Sequence, residues 1–346
     1  MPNHPVTSVP QVRRGLTLIE LLVALAVIGL LVSIILPAVQ AAREAARSAS
    51  CQSRMRQLGV AVQNYHDTYR VVPNRTYETG AEATDLPGSW GWRGHSVHPQ
   101  LLPFVEEQAV YDRLDFSRLA HDRQTNDRTG RERISLYLCP SDLPPQSDPG
   151  CNLAFSLGTN IGFENDGLAL PPSAQNGAVV NDGLIGFRDF TDGLSNVLLL
   201  SEQVVGRLAG DPTSRRAAYR YAPGAVPIGM RVDMPRPEHV RVWATTCTHF
   251  PNSSDRVARH WHRGLPGQTL FNTLLTPNSS FPNCSNHCVG ICDSDGAGLF
   301  AARSRHPGSV NTGFADGHVR SISEAVAIDT WHRLGNRNDG LSIGAF

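Results

Sequence analysis

The strongest hydrophobic pattern in the chain lies close to its start. The first fifteen residues are polar and contain three prolines, and shortly after them nineteen residues from Leu21 to Val39 carry no charge. Nineteen helical residues extend for about 29 Å, which is about the thickness of the hydrocarbon core of a bilayer. This run is longer than the apolar part of an ordinary signal peptide. The pattern therefore predicts a retained membrane helix over residues 16–39.

A second helical pattern follows the apolar run. Residues 40–47 are good helix formers, and further on the apolar positions recur at steps of three and four, which is the spacing of one helix face. These positions are Met55, Leu58, Val62, Tyr65 and Tyr69. Pro73 then ends the pattern. The sequence therefore predicts one helix from Thr17 to about Tyr69, whose second part, residues 40–72, is an amphipathic stem.

Residues 73–346 are predicted to form a globular head of short strands. Glycine and proline, with 31 and 24 residues, make up about 16% of the chain, against a usual share of about 12%, which favours turns over a helical bundle. Near the C-terminus, residues 309–315 and 318–322 alternate like two strands, and Asp316-Gly317 between them is a typical hairpin turn. The predicted fold class is α+β, with a long N-terminal helix packed on an antiparallel, β-rich head.

The charged residues exclude several classes of function. The chain has 31 basic and 31 acidic residues and a formal net charge of zero, so it has no overall field for holding a polyanion, and we predict no nucleic-acid partner. All of the basic residues are arginine. A Schiff-base lysine, a P-loop lysine and a Ser–Lys catalytic pair are therefore excluded.

The start of the apolar run resembles a known processing signal. The segment Arg13-Arg14-Gly15, followed by Leu16-Thr17-Leu18-Ile19-Glu20-Leu21-Leu22, is similar to the cleavage and methylation signal of type IV prepilins and type II secretion pseudopilins. The resemblance implies that a membrane peptidase cuts after Gly15 and methylates the amine of Leu16. It also implies that Glu20 neutralises the terminal amine of a neighbouring subunit, and that Pro37 is the helix-kinking proline of this family.

The same resemblance implies the partners and the location of the protein. The expected partners are the prepilin peptidase, the membrane, and other copies of this chain or other pilin-like subunits. Residues 1–15 would be the leader, and the mature protein would cross the inner (cytoplasmic) membrane once, with a cytoplasmic N-terminus and an extracytoplasmic, periplasmic head. We expect a structural subunit of a type IV pilus-like or type II secretion-like filament rather than an enzyme. The alternative is a membrane-tethered extracytoplasmic binding protein that does not polymerise.

Motifs along the whole chain resemble a narrower group, a large paralogous bacterial family of prepilin-like proteins of unknown function. They are Cys51–Gly59, Asn64–Tyr69, Leu138–Asp142, Phe190–Asn196, Leu200–Glu202 and a C-terminal His306-x9-Asp316-Gly317. Two departures are local: Arg70 stands where a turn glycine is usual, and residues 207–300 diverge. From the local pattern, His306, Asp316 and Gly317 are interpreted as parts of a structural hairpin rather than as a catalytic or ligand-binding site.

The cysteines suggest disulfides if the head lies outside the cytoplasm. Cys139 could pair with Cys151, closing a Pro-rich loop, or with Cys51 on the stem, and the sequence leaves both pairings open. Cys284, Cys288 and Cys292 form a cluster whose spacing a metal site would also allow, but oxidation is the favoured interpretation.

Other side chains carry weaker signals. Asp189, Asp192 and Glu202 could bind Ca²⁺, since carboxylate oxygens are its usual ligands, but no EF-hand spacing is present and no cofactor is predicted. The pair of histidines in His260-Trp261-His262 resembles a metal-ligand pair. Flanking arginines favour a polar loop there instead.

Overall fold

The structure is a computed structural model. It describes residues 18–74, 94–142, 144, 148–161, 170–181, 183–206, 219–222, 224, 226–254, 257–286 and 297–344. Gly15 and Leu16, where processing is predicted, lie outside these residues, as do Cys288 and Cys292. The chain divides into two compact units, residues 1–46 and 47–346. The boundary falls inside the predicted stem, so most of the stem belongs to the same unit as the head.

The helices of the described residues differ greatly in length. They are α1 (Leu18–Tyr69), α2 (Val97–Leu101), α3 (Gln108–Tyr111), α4 (Asn126–Thr129), α5 (Pro237–Cys247) and α6 (Ile328–Gly335). The 52 residues of α1 combine the predicted membrane helix and nearly all of the predicted stem. The sequence prediction of one long helix is confirmed.

The described strands form two sheets. They are β1 (Leu153–Ser156), β2 (Leu198–Glu202), β3 (Tyr219–Tyr221), β4 (Asn252–Ser254), β5 (Leu270–Phe271), β6 (Asn283–Ser285), β7 (Gly298–Leu299), β8 (Ser309–Phe314) and β9 (Val319–Ser323). The larger sheet has the order β5-β1-β2-β8-β9 and the smaller one β4-β3-β6-β7. All pairs are antiparallel except β1–β5 and β3–β6. The α+β fold class is confirmed, and the parallel pair in each sheet is an addition to the antiparallel head that was predicted.

The second half of α1 supplies one wall of the main hydrophobic core. Its buried residues include Met55, Leu58 and Val62, at the three- and four-residue steps of the predicted apolar face. They belong to one cluster with residues of the larger sheet such as Phe155 and Leu199. Helix packing on a sheet therefore fixes the stem, since an apolar stripe of this kind is stable only when it is covered.

Arg70 ends α1 in a conformation that usually belongs to glycine. Its φ is 62°, in the left-handed region, and its amide donates to the carbonyl of His66 at 2.7 Å. This is the position after a helix C-terminus where a left-handed residue satisfies a free carbonyl. Arg70, which stands where the resemblance expects a turn glycine, therefore has a strained backbone conformation.

The C-terminal hairpin lies directly against the stem. Strands β8 and β9 pair in register from Ser309 with Ser323 to Gly313 with Val319, as the alternation predicted. Gly317 in the turn has a φ of 91°. A Cβ atom on Gly59 of α1 would lie 3.0 Å from the Cα atom of Gly317, so two glycines allow the backbones to approach closely.

The divergent region 207–300 contributes much of the smaller sheet. Helix α5 packs there through Trp243, which is fully buried, and through Val240. A disulfide joins Cys247 at the end of α5 to Cys284 on β6. Cys247 was not among the cysteines predicted to pair, and the partner of Cys284 lies in this helix rather than in its own cluster.

Candidate functional site

The first candidate site is the apolar half of α1. Between Leu18 and Val39 the large apolar side chains are exposed by 40% to 81%. The most apolar window of 18 residues has a mean hydropathy of 2.9, and none of its residues is buried. Glu20 lies in the first turn of the helix, and Pro37 lies inside it. By length and composition this segment fits a membrane anchor.

The second candidate site is a buried polar cluster under the stem. Four parts of the chain bring its members together: Cys51 comes from α1, Cys139 follows the short 3₁₀ helix Ser135–Tyr137, Glu202 ends β2, and His306 precedes β8. All four side chains are buried. Four of the resemblance motifs therefore meet at one place, one of them on the stem itself, which local patterns did not indicate.

Short distances connect the members of this cluster. A disulfide joins Cys51 to Cys139. The Cys139 Sγ atom lies 3.8 Å from Oε1 of Glu202 and 3.7 Å from Nε2 of His306. The same two atoms of Glu202 and His306 are 3.2 Å apart. The carboxylate and the imidazole thus face each other beside the disulfide.

Asn311 on β8 holds the carboxylate of Glu202 in place. Its backbone amide donates to Oε2 at 3.0 Å, and its side-chain amide donates to Oε1 at 3.1 Å. Its side chain also accepts from Nε2 of Gln52 at 3.0 Å and lies 3.3 Å from the hydroxyl of Ser48, both on α1. Buried polar groups are stable only with such partners. Asn311 therefore links the stem, the sheet and the carboxylate, and nothing in the sequence pattern singled it out.

Asp142, three residues after Cys139 in the same motif, holds the loop that carries Cys139. Its carboxylate accepts from Arg305 at 3.0 Å, from the side chain of Asn152 at 3.0 Å, and from the amide of Val205 at 2.6 Å. Asp142 is buried, so these donors replace its water shell. They fix the loop that carries Cys139.

Of the two pairings left open for Cys139, the structure forms the one with Cys51. Their Cα atoms are 5.2 Å apart, within disulfide range, because α1 packs over this loop. Cys151 is a free, buried thiol, so its prediction as a disulfide candidate is wrong. Desolvation raises the pKa of Cys151 to about 12, which leaves the group uncharged and unreactive near neutral pH.

The predicted calcium ligands are not brought together. Asp189 accepts from the amide of Gly186 at 2.7 Å, and Asp192 accepts from the amides of Asp339 and Gly340 at 2.8 and 2.9 Å. Glu202 lies at the far end of β2, and a strand of five residues is about 16 Å long. Within the part of the chain that the structure describes, the one His, Cys and carboxylate cluster with ligand atoms within 4.8 Å of one another contains neither aspartate.

The C-terminal motif also separates into two parts. His306 faces Glu202, whereas Asp316 lies in the turn and its Oδ1 is 2.6 Å from Nδ1 of His318. The interpretation of Asp316 and Gly317 as a hairpin turn agrees with the structure. The sequence missed the buried carboxylate opposite His306, since the two residues are far apart along the chain.

The segment His260-Trp261-His262 is not the polar loop that was predicted. Trp261 and His262 are fully buried, and Nε1 of Trp261 donates to the carbonyl of Glu132 at 2.8 Å. Burial holds the pKa of His262 well below its usual value. The flanking arginines were misleading because Arg263 reaches a partner of its own, Asp127, at 2.8 Å.

Two family models match the chain, one at its N-terminal helix and one over the stem and head. Residues 11–36 match a prokaryotic N-terminal methylation motif, and residues 40–329 match a family described as protein of unknown function (DUF1559). No curated protein and no solved structure matches the chain. The methylation motif implies processing by a prepilin peptidase and association with a membrane. The family match covers most of the chain, and the protein therefore belongs to the DUF1559 family of prepilin-like proteins.

Proposed function

We propose that this protein is a structural, non-enzymatic subunit of a type IV pilus-like or type II secretion-like filament. In this proposal the peptidase cuts after Gly15, the amine of Leu16 is methylated, and the mature chain assembles through residues 16–39. Glu20 neutralises the new terminal amine of a neighbouring subunit. One observation supports this proposal most directly. The apolar half of α1 is exposed, whereas its other half packs into the core of the head.

The exposure of the apolar segment supports assembly through it. Monomeric soluble proteins rarely expose an apolar surface of this extent, and here every large apolar side chain between Leu18 and Val39 is exposed. A bilayer would cover the segment before assembly, and the same segments of other subunits would cover it afterwards. A carboxylate such as Glu20 is costly in either place unless a cation compensates it.

The two disulfides among the described residues support an extracytoplasmic head. Cys51–Cys139 and Cys247–Cys284 both lie in the unit formed by residues 47–346. Disulfides persist in oxidising compartments and are rare in the cytoplasm. With the leader cut on the cytoplasmic side of the inner membrane, the N-terminus would be cytoplasmic and the head would lie on the opposite side.

The packing of the stem supports a structural role for the head. The disulfide, the amide of Asn311 and the buried stripe on α1 all fix the stem within the head. A load on the helix would therefore reach the sheet directly. The buried pair of Glu202 and His306 serves this junction in the proposal, rather than catalysis.

Two experiments test the proposal in the native host. The first is the intact mass and N-terminal sequence of the protein extracted from membranes, where we expect a chain that begins at methylated Leu16. The second compares Glu20→Ala with Glu44→Ala by crosslinking and electron microscopy of filaments. Glu20→Ala should be processed and membrane-bound but unassembled, whereas Glu44→Ala, outside the apolar run, should assemble.

The opposite results would overturn the proposal. A chain that keeps residues 1–15 would make the segment a plain signal anchor. A Glu20→Ala protein that assembles like the wild type would remove the assembly role of the carboxylate. If the wild-type protein is processed but shows no crosslinks between subunits, the tethered binding protein is the correct function.

A further inference from the structure

The cluster under the stem contains a complete set of zinc ligands. One ligand atom each from Cys51, Cys139, Glu202 and His306 lies within 4.8 Å of all the others. Thiolate, imidazole and carboxylate are the groups that bind Zn²⁺ in proteins, most often four together in a tetrahedron. The structure contains the two sulfurs as a disulfide, so a zinc site here belongs to the reduced chain.

The distances fit a tetrahedron around one ion. Zinc bond lengths of about 2.3 Å to sulfur and about 2.1 Å to nitrogen or oxygen give edges of about 3.6 Å from sulfur to either atom and about 3.4 Å between nitrogen and oxygen. From Cys139 Sγ, the distances to His306 Nε2 and Glu202 Oε1 are 3.7 and 3.8 Å. The nitrogen and oxygen are 3.2 Å apart. Three of the six edges are thus already in place.

The surroundings match a closed structural site rather than an open catalytic one. The four residues are exposed by 0% to 5%, so the protein supplies all four ligands. Asn311 orients Glu202 with two hydrogen bonds, one to each carboxylate oxygen. Groups that orient a ligand in this way typically change metal affinity by 10- to 100-fold.

We infer that the dithiol form of the protein binds one Zn²⁺ through Cys51, Cys139, Glu202 and His306. Both thiols lose a proton to the solvent as the ion binds. When a protein disulfide of the thiol oxidoreductase class exchanges with the site, the two thiolates give up two electrons and form the Cys51–Cys139 bond. The oxidant takes up two protons from the solvent and leaves as a dithiol, and the zinc ion is released. The site thus has two closed states, one with the metal and one with the disulfide, and this inference does not depend on filament assembly.

The test uses the full chain in detergent micelles with a phosphine reductant, which reduces disulfides without thiol ligands. Cobalt(II), a zinc substitute with visible bands, is titrated into the reduced protein, and bound zinc is measured by mass spectrometry after dialysis. We expect one equivalent at this site, counted as the difference between the wild type and Cys139→Ser, with the charge-transfer band of cobalt–thiolate bonds. The oxidised protein should give neither band nor bound metal at this site.

Matched variants assign the ligands. Cys51→Ser and Cys139→Ser should each abolish the band of this site, and Glu202→Gln and His306→Gln should weaken binding at least tenfold. Cys151→Ser, a buried thiol outside the cluster, should bind like the wild type. Glu202→Gln keeps the shape of the side chain, so we expect this variant to fold. Near-UV circular dichroism checks that it does. An unchanged affinity in Cys51→Ser or in folded Glu202→Gln, or the absence of a thiolate band in the reduced wild type, would overturn the inference.

Discussion

Cys51 and Cys139 are joined by a disulfide across 88 positions of the sequence. One sulfur comes from the second half of α1 and the other from the loop that Asp142 holds in place. The bond therefore connects the stem to the body of the head by a covalent link in addition to packing. In the chain-entropy description, a link that closes a long loop stabilises the folded state mainly by restricting the unfolded chain.

The first prediction concerns this link. Cys51→Ser should lower the free energy of unfolding by about 2–5 kcal/mol, since that is the usual cost of removing a native disulfide. Urea unfolding of the detergent-solubilised protein, followed by tryptophan fluorescence, measures the change. Cys151→Ser is the control and should cost less, because its buried thiol is not bonded to another sulfur. Equal midpoints for Cys51→Ser and the oxidised wild type would contradict the prediction.

Patterns with a clear period were sufficient to predict the largest elements. The helix predicted from Thr17 to about Tyr69 is α1, Leu18–Tyr69, and the hairpin predicted over 309–322 is β8 and β9. Both follow from local chemistry: a stripe at helical spacing in one case, and alternation around an Asp-Gly turn in the other. Neighbouring residues alone determine these features.

The junction under the stem could not be predicted in this way. Glu202, His306 and Asn311 meet Cys51 only because the sheet order places β2 beside β8 and α1 packs against this sheet. Long-range pairing of this kind has no local period. The same applies to Cys247, whose partner is set by the packing of α5 against the smaller sheet.

A second prediction concerns the end of the stem. Arg70 has a φ of 62°, a conformation that costs a residue with a side chain about 1 kcal/mol relative to glycine. Arg70→Gly should therefore raise the free energy of unfolding by about 0.5–1 kcal/mol. Gln57→Gly, at an exposed position inside α1, should lower it by a similar amount. Changes of the same sign in the two variants would show that the backbone of Arg70 is not strained.

A third prediction follows from a buried histidine. His98 is fully buried, its Nε2 is 2.8 Å from the carbonyl oxygen of Leu153, and desolvation lowers its pKa to about 3 from a reference of 6.5. Between pH 6.5 and 3 the unfolded chain binds a proton that the folded protein does not. Stability should therefore fall as the pH falls through this window, by about 1.4 kcal/mol per pH unit for this one group.

Two variants isolate that contribution in urea unfolding between pH 7 and 5. His98→Gln should reduce the slope of stability against pH by an amount equal to the uptake of about one proton on unfolding, because glutamine does not titrate. Tyr137→Phe removes the hydrogen bond at 2.9 Å to the carbonyl of His98 and should lower stability by about 1 kcal/mol equally at each pH. If the slope is the same in His98→Gln as in the wild type, another group takes up the proton and the prediction is wrong.

The last prediction concerns Asn311, whose side chain bonds both the carboxylate of Glu202 and the amide of Gln52. Asn311→Ala removes one charge-assisted hydrogen bond and two neutral ones, to Gln52 and Ser48, from a buried site, so it should cost about 2–4 kcal/mol. Asn196→Ala, which removes a single exposed bond to the carbonyl of Asp192, should cost less than about 1 kcal/mol. In a double-mutant cycle, Asn311→Ala and Glu202→Gln should couple by at least about 1 kcal/mol, since each change removes a partner of the other. Additive costs would mean that the two residues stabilise the stem junction independently, and that Asn311 does not hold the carboxylate in place.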